Sequence, residues 1–315
     1  MSDLILLFSR IHIPSLLGYF AAALAASWLR AWRYRCLLSP NPIKRWDILL
    51  VTFIRNLFVD LFPARIGSLS YIYVLNRRLN FSFETAASTF VVGFIFDFLT
   101  LGPFVILSVL LVGLGATMLS GPVLLIAAMF FLLLSGLILW KIIPLAQIFL
   151  KLFRKMASRF HLNSQKWVRL ALEKILKTIT ELERIRKRRI HTRILLLSLA
   201  IRAAKYISLY LLLLSLLRSF GLFMPDISFS KTILGITGAE LTGALPVKGL
   251  AGFGTWESAW ALTFNLLDIE SSGSQAVNLA VLSGIGLHLI TNIFEYSLGI
   301  LSILWLTFFR KKKKT

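Results

Sequence analysis

Long apolar stretches, separated by short basic or polar segments, make up most of this chain of 315 residues. A helix rises about 1.5 Å per residue and a bilayer core is about 30 Å thick, so about 20 consecutive apolar residues predict a membrane-spanning helix. Spans are predicted at residues 14–36, 83–112, 122–144, 194–218 and 275–309. The pattern therefore predicts an all-α fold, a polytopic transmembrane helical bundle.

Two further apolar stretches are interrupted by a proline that a basic residue soon follows. Pro63 precedes Arg65 in the first, and Pro246 precedes Lys248 in the second. The interrupted stretches are residues 46–62 and 228–268, and the second also carries Gly252, Gly254 and Glu257. Irregular backbone at membrane depth is tolerated only where it is buried in protein or lines a cavity. We therefore expect two re-entrant or broken helices, the usual pointer to a transporter-like binding site.

Composition supports a membrane protein and changes how the charge is interpreted. Hydrophobic residues make up 57% of the chain, and the mean hydropathy is +0.79. The net charge of +21 would indicate a nucleic-acid partner in a soluble protein, but here the basic residues lie between apolar spans. Cytoplasmic loops have this signature, so no nucleic-acid binding is expected. The single cysteine, Cys36, excludes a disulfide framework and a cysteine-based metal site.

The basic clusters also predict the topology. Residues 151–193 hold fourteen Lys and Arg against three Glu, and the chain ends in a basic tail at 310–314, so both are expected in the cytoplasm. On this topology, residues 1–150 run inward, enter the first break and return outward, whereas residues 194–315 do the reverse. The chain is thus expected to be one transmembrane domain, with two halves that form an inverted repeat around a basic cytoplasmic linker.

The linker contains a helix with one apolar face. Its apolar residues recur at intervals of three and four: Val168, Leu172, Ile175, Ile179 and Leu182. Two interpretations stay open. The helix either lies on the anionic inner leaflet, or it is a linker helix packed on the transmembrane bundle.

The two bases that follow the prolines are the first candidate site residues. Arg65 and Lys248, beside the freed backbone N–H groups of the breaks, could hold an anion such as a lipid phosphate. Alternatively each base pairs internally with an acidic residue, which would hold the broken helix in place without a ligand. The candidate partners are Asp60, Asp97, Glu240 and Glu257. Arg202 and Lys205 lie nearer a cytoplasmic helix end, where snorkelling is expected.

Four more ionisable residues are candidates. Asp97 lies in the middle of a span and is expected to face Arg65 or Arg55. Glu257 either caps the helix after the second break or binds a proton or a headgroup amine. His288 and Glu295 are seven residues apart on one helix face, either in a proton relay or in helix–helix hydrogen bonds.

Several motifs of enzymes are missing from the sequence. It has no phosphate-binding loop of the GxxxxGK[ST] type, no HExxH and no GxSxG. The four histidines are too scattered to predict a metal site. We therefore expect no enzymatic activity, no cofactor and no bound metal.

At these positions the chain resembles the transmembrane region of the lysylphosphatidylglycerol synthase/flippase family of prokaryotes, over nearly its whole length. The resemblance includes an early arginine-rich helix end at 29–35 and a segment with Asn56, Pro63, Arg65 and Gly67. It continues with Asp97 and with the second segment, which contains Leu245, Pro246, Gly252, Gly254 and Glu257. Two positions depart from the family pattern, since Ser68 replaces a glutamate and Gly93 an arginine. An ion pair or headgroup contact typical of the family is therefore expected to be lost.

The resemblance implies a stand-alone flippase-like protein of the cytoplasmic membrane that moves a phospholipid, or a modified or glycosylated lipid, between leaflets. Aminoacyl transfer is not implied, because the soluble synthase domain is absent from this sequence. Two other functions stay open. One is a non-transporting subunit of a lipid-modifying or envelope-assembly enzyme, and the other is a proton-coupled carrier of a small polar solute. If the chain forms a homo-oligomer, a symmetric dimer is expected.

Overall fold

The computed structural model describes residues 7–112, 121–161, 164–222, 224–242, 253–267 and 276–309. It confirms the all-α fold. The helices are α1 (Ile13–Leu38), α2 (Arg45–Leu61), α3 (Ser70–Leu79), α4 (Phe83–Leu99), α5 (Leu101–Val112), α6 (Gly121–Arg159), α7 (Lys166–Lys187), α8 (His191–Leu217), α9 (Phe229–Thr242), α10 (Thr255–Leu266) and α11 (Ala276–Phe308).

Four helical stretches of the described residues are long and apolar enough to cross a membrane. They are Phe83–Val112, Ala128–Arg159, His191–Phe220 and Leu279–Phe308. Each corresponds to one of the predicted spans. The predicted span at 14–36 is also a long helix, α1, but the arginines near its end make it less apolar than these four.

An antiparallel pair, α1 and α8, makes the most extensive helix–helix contact in the molecule. The N–H of His12 donates to the carbonyl of Ser215 at 3.1 Å, and farther along α1 Arg33 donates to Ser198 at 2.8 Å. The partner on α8 has a lower residue number when the residue on α1 has a higher one, so the two helices run in opposite directions. The order agrees with one inward and one outward span.

The first interruption lies where the sequence predicts it. Phe62 has extended backbone angles, φ −107° and ψ 142°, and a 3-10 segment, Pro63–Leu69, separates α2 from α3. The proline ring excludes the helical region for the residue before it, so α2 ends at Leu61. The segment then folds back on α2, since a Cβ on Gly67 would lie 1.6 Å from the carbonyl oxygen of Phe58.

The second interruption separates α9 from α10. Residues 243–252 lie outside the described part of the chain, and with them Pro246, Lys248 and Gly252. The backbone is described again at the turn before α10, where Gly254 has φ +91°, a conformation that favours glycine. Farther along α10, Trp260 is completely buried and donates its indole N–H to Ser283 of α11 at 3.0 Å.

The predicted span at 83–112 consists of two helices rather than one. α4 ends at Leu99 and α5 begins at Leu101, with Thr100 between them. Pro103 explains the joint, because its ring would clash with the carbonyl group of residue 99 in an uninterrupted helix. The Thr100 hydroxyl instead donates to the carbonyls of Phe96 and Asp97, at 3.0 and 3.2 Å.

The predicted linker, residues 151–193, begins inside one helix and contains a second. α6 has 39 residues and continues to Arg159, so the boundary predicted between residues 150 and 151 lies inside a helix. α7 then packs on α4 and α6 through its apolar face, where Val168, Ile179 and Leu182 are buried. Of the two interpretations of this stripe, the structure favours a helix packed on the bundle.

The contacts of the two halves correspond to one another. α2 packs on α11, and α9, its counterpart in the second half, packs on α5. Likewise α1 contacts α4, and α8 contacts α11. In each half, the helix before the break therefore packs against the span that follows the break in the other half, as expected for two repeats related by a two-fold axis. α6 and α7 have no counterpart in the second half of the described chain.

Candidate functional site

Asp97 lies at the centre of a network of buried charges. Its carboxylate accepts two hydrogen bonds from Arg33 of α1, at 2.6 and 3.2 Å, a bidentate arrangement. Arg33 is completely buried and also donates to Ser198. Arg65 and Arg55 were the expected partners of Asp97; the described ion pair is with Arg33 instead of Arg55, and the expectation for Arg65, whose side chain is not described, stays a prediction.

The network continues to the second break through α8. Arg202 donates to the backbone carbonyl of Asp97 at 2.5 Å and to the carboxylate of Glu240 at 2.9 Å. Lys205 reaches the other oxygen of Glu240 at 2.6 Å. Arg202 and Lys205 were expected to snorkel, but both instead bind Glu240, which lies in the last turn of α9. The last described turn before the second break is thereby joined to α4 and α8.

Near the first break, two arginines share one neutral acceptor. Arg30 and Arg55 donate to the side-chain oxygen of Asn56, at 3.1 and 3.3 Å. No described acidic side chain lies within ion-pair distance of either arginine, and the Nε of each is buried without a partner among the described atoms. A buried base without an acidic partner is costly. This pair is therefore suited to an anionic ligand.

Glu257 and His288 join α10 to α11 at the second break. One oxygen of Glu257 accepts the N–H of Gly254 at 2.8 Å, which caps α10, and the other makes a short contact with Nδ1 of His288. Phe253 stacks on the imidazole with ring centroids 4.6 Å apart. Both interpretations of Glu257 thus have a geometric basis, since it caps a helix and also pairs with a titratable group.

α11 carries a polar stripe that reaches both breaks. His288 binds Glu257 at the second break, and Glu295 lies near Asp60, close to the end of α2 and the first break. Between them Asn292 is buried, and its amide has no partner among the described residues. His288 and Glu295 therefore serve different breaks and do not contact each other.

An apolar groove of about 380 Å³ opens beside the first break. It lies between α2, the 3-10 segment, α3 and the end of α11. Its walls include Phe62, Ile66, Gly67, Ser70, Ile303 and Leu306, and Arg78 lies at its edge. The groove is apolar and open to the surface, which suits an acyl chain better than a polar solute.

Several predicted site residues lie outside the described side chains. Pro63 and Arg65 belong to the 3-10 segment, but only their backbone is described. Lys248, Pro246 and Gly252 fall in the range that is not described. The expected phosphate pair Arg65–Lys248 therefore stays a prediction. Within the described residues, no three His, Cys, Asp or Glu side chains are grouped as metal ligands.

Sequence reasoning missed the arginines of α1 as site residues. Arg30 and Arg33 were interpreted only as a cytoplasmic helix end. Their spacing of three residues places both on one helix face, and Arg55 and Asn56 lie within an otherwise apolar stretch. These two facts were available signals that α1 and α2 face each other with polar side chains.

Comparison with known proteins identifies one family. Residues 1–294 match the profile of the lysylphosphatidylglycerol synthase transmembrane region. No curated protein and no solved structure matches the chain. The matched range includes both breaks and the charge network around Asp97, and it ends one residue before Glu295.

Proposed function

This membrane protein belongs to the lysylphosphatidylglycerol synthase transmembrane-region family, and we propose that it moves a lipid between the leaflets of a prokaryotic cytoplasmic membrane. The substrate class is a phospholipid or a modified or glycosylated lipid. Translocation needs no chemical reaction, so the site residues bind and position and do not react. The C-terminal basic tail would lie in the cytoplasm.

The apolar groove at the first break carries this proposal. A small polar solute would need a water-filled cavity with several polar groups, whereas the walls of the groove are almost entirely apolar. Ile66 is 58% exposed and Phe62 45%, so the groove is open along one side. An acyl chain could remain there while the headgroup passes through the protein.

The headgroup would meet the buried charges. A phosphate is an anion, and guanidinium groups bind it through paired N–H donors. Arg30 and Arg55, which have no acidic partner among the described residues, would supply these donors, and Arg65 and Lys248 remain candidates from the sequence. Glu257 and His288 would hold the second break and respond to a proton or a headgroup amine.

The test is translocation of headgroup-labelled lipids in liposomes that contain the purified protein. Ile303 lines the groove and its neighbour Leu304 does not, although Leu304 is 44% exposed on the same helix. Ile303→Trp should fill the groove and reduce the rate of translocation at least about 10-fold, while Leu304→Trp should leave it near the wild-type rate. The labelled headgroups would be anionic, zwitterionic and glycosylated.

A third variant tests the second break. Glu257→Gln can still accept the N–H of Gly254 but loses the charge that faces His288, so translocation should fall while helix α10 remains capped. The assay would be run with and without a pH gradient. If folded wild-type protein moves none of the lipids, the transport proposal fails and a non-transporting subunit becomes the better interpretation. Equal translocation rates for Ile303→Trp and Leu304→Trp would show that the lipid does not pass through the groove.

A further inference from the structure

A second cavity lies where α1 ends. It has a volume of about 770 Å³ and is bounded by the α1–α2 connection, the α3–α4 turn and the junction of α7 with α8. Its polar walls contain four basic residues, Arg35, Lys44, Arg188 and Arg193. We call this cavity the basic pocket. On the predicted topology it opens to the cytoplasm.

The charges of the basic pocket are poorly balanced. Asp47 is the one acidic residue among its lining residues, and none of the four bases makes an ion pair with a described acidic side chain. Four bases from three separate parts of the chain therefore converge on one concave surface. Such a surface attracts anions, and a concave shape concentrates that attraction.

Two of the four bases are held in place. Arg188 donates to the carbonyls of Leu37 and Cys36 at 2.9 and 2.6 Å, which fixes it at the C-terminal end of α1. Arg193 lies over the ring of Trp32, 5.6 Å from its centroid. Arg35 and Lys44 are exposed. The pocket thus combines two positioned guanidinium groups with two bases that are free to close on a ligand.

The surroundings of the basic pocket indicate where the anion comes from. Trp28, Trp32 and Trp46 are exposed beside it, at 43%, 43% and 69%. Exposed tryptophans are enriched at the level of lipid headgroups, and the cytoplasmic leaflet is rich in anionic lipids. We infer that the basic pocket binds the phosphate of an anionic phospholipid headgroup in the cytoplasmic leaflet. This inference concerns binding and holds whether or not that lipid is then moved.

The experiment is a titration of the purified full chain in detergent with short-chain phosphatidylglycerol, followed by calorimetry. The test variant is Arg35→Gln/Lys44→Gln, which removes two charges without touching the two positioned arginines. The control variant, Lys151→Gln/Lys155→Gln, removes two charges from exposed positions of α6, away from the basic pocket. Each base near a membrane surface contributes about 1 kcal/mol to the attraction of an anionic lipid. The affinity of the test variant should therefore fall at least about 10-fold, and that of the control should not change.

Two further arms separate the alternatives. The swapped variant Arg35→Lys/Lys44→Arg keeps the charge and should bind like the wild type, which excludes a folding defect as the cause. Inorganic phosphate serves as competitor, and if it displaces the lipid at equal concentration the pocket is a free-phosphate site and the inference fails. It also fails if both charge-removing variants lose affinity equally, since the attraction would then be non-specific. Zwitterionic phosphatidylcholine that binds as well as phosphatidylglycerol would overturn it too.

Discussion

At the scale of single residues, Asp97 is the junction of the buried network. Its carboxylate binds Arg33 of α1, and its backbone carbonyl binds Arg202 of α8, which also reaches Glu240 of α9. Three helices therefore meet at one side chain and its peptide group, and α9 is joined to them through Arg202. Since Arg33 is completely buried, any change at Asp97 leaves a buried guanidinium without its partner.

We expect Asp97→Leu to destabilise the protein by about 3–5 kcal/mol, the usual effect of removing one partner of a buried ion pair. The double variant Arg33→Met/Asp97→Leu should recover most of that loss, because no uncompensated charge remains. Unfolding of the purified protein by denaturant in detergent measures both.

The matched control is Glu173→Gln, which breaks an exposed pair with Lys177 on α7, where the two side chains are 55% and 59% exposed. It should leave the stability close to that of the wild type, because an exposed ion pair contributes little. A double variant at positions 33 and 97 that loses as much as the two single variants added together would contradict a buried pair.

The partner of Asp97 could not be predicted from the sequence, although its need for one could. The sequence shows a charged residue within an apolar span, but its partner depends on which helix faces it. Gly93 shows the difficulty. An ion pair was expected to be lost because glycine replaces the arginine of the family pattern, yet a Cβ at Gly93 would lie 3.5 Å from the guanidinium of Arg33. The missing side chain leaves room for an arginine from another helix.

At the scale of elements, the effect of proline on the residue before it predicted the first break. The joint at Thr100 was missed because the residues around it are apolar. Pro63 ends α2 because proline restricts the residue before it, and this rule needs no knowledge of the fold. Pro103 has the same local effect, but the apolar pattern continues through Thr100, and the span was predicted as one helix. α6 continues beyond residue 151, where the linker was predicted to begin, because a basic segment limits the part that lies in the membrane and not the helix itself.

Gly67→Ala should disrupt the first break. Its Cβ would lie 1.6 Å from the carbonyl oxygen of Phe58, so the 3-10 segment has to move away from α2. We expect a loss of stability of about 1–3 kcal/mol, measured by thermal unfolding in detergent.

Gly136→Ala is the matched control for that substitution. Position 136 lies within α6, where a Cβ would meet only Leu99, at 4.0 Å. Alanine is the better helix former, so this variant should be up to about 1 kcal/mol more stable. A stabilised Gly67→Ala would show that the 3-10 segment does not pack on α2.

The attachment of α7 is a separate prediction. Ile179 is 5% exposed in the face that packs on α4 and α6, whereas Leu176 of the same helix is 52% exposed. Ile179→Glu should release α7 and increase trypsin cleavage within residues 166–187 at least about 10-fold. Leu176→Glu should not. Cleavage increased by both variants would favour a helix held by the lipid surface instead of the bundle.

At the scale of the whole molecule, the two halves are joined in three ways. α1 and α8 pack along their lengths, α2 packs on α11 as α9 packs on α5, and α11 contacts the helices α2 and α10 that flank the two breaks. An apolar pattern predicts the spans, and charge predicts their direction, but only packing shows that the breaks share one helix.

The topology gives the last prediction, and the single cysteine makes it simple to test. Cys36→Ser provides a background without thiols. On the predicted topology Met224, which is 63% exposed after α8, faces the outside, and the exposed Gln165 before α7 faces the cytoplasm. In intact cells a membrane-impermeant maleimide should label Met224→Cys, and it should label Gln165→Cys only after permeabilisation. Among the helices between these two positions, only α8 is a predicted span. Labelling of both positions in intact cells would therefore show that α8 does not cross the membrane, which would contradict the inverted repeat.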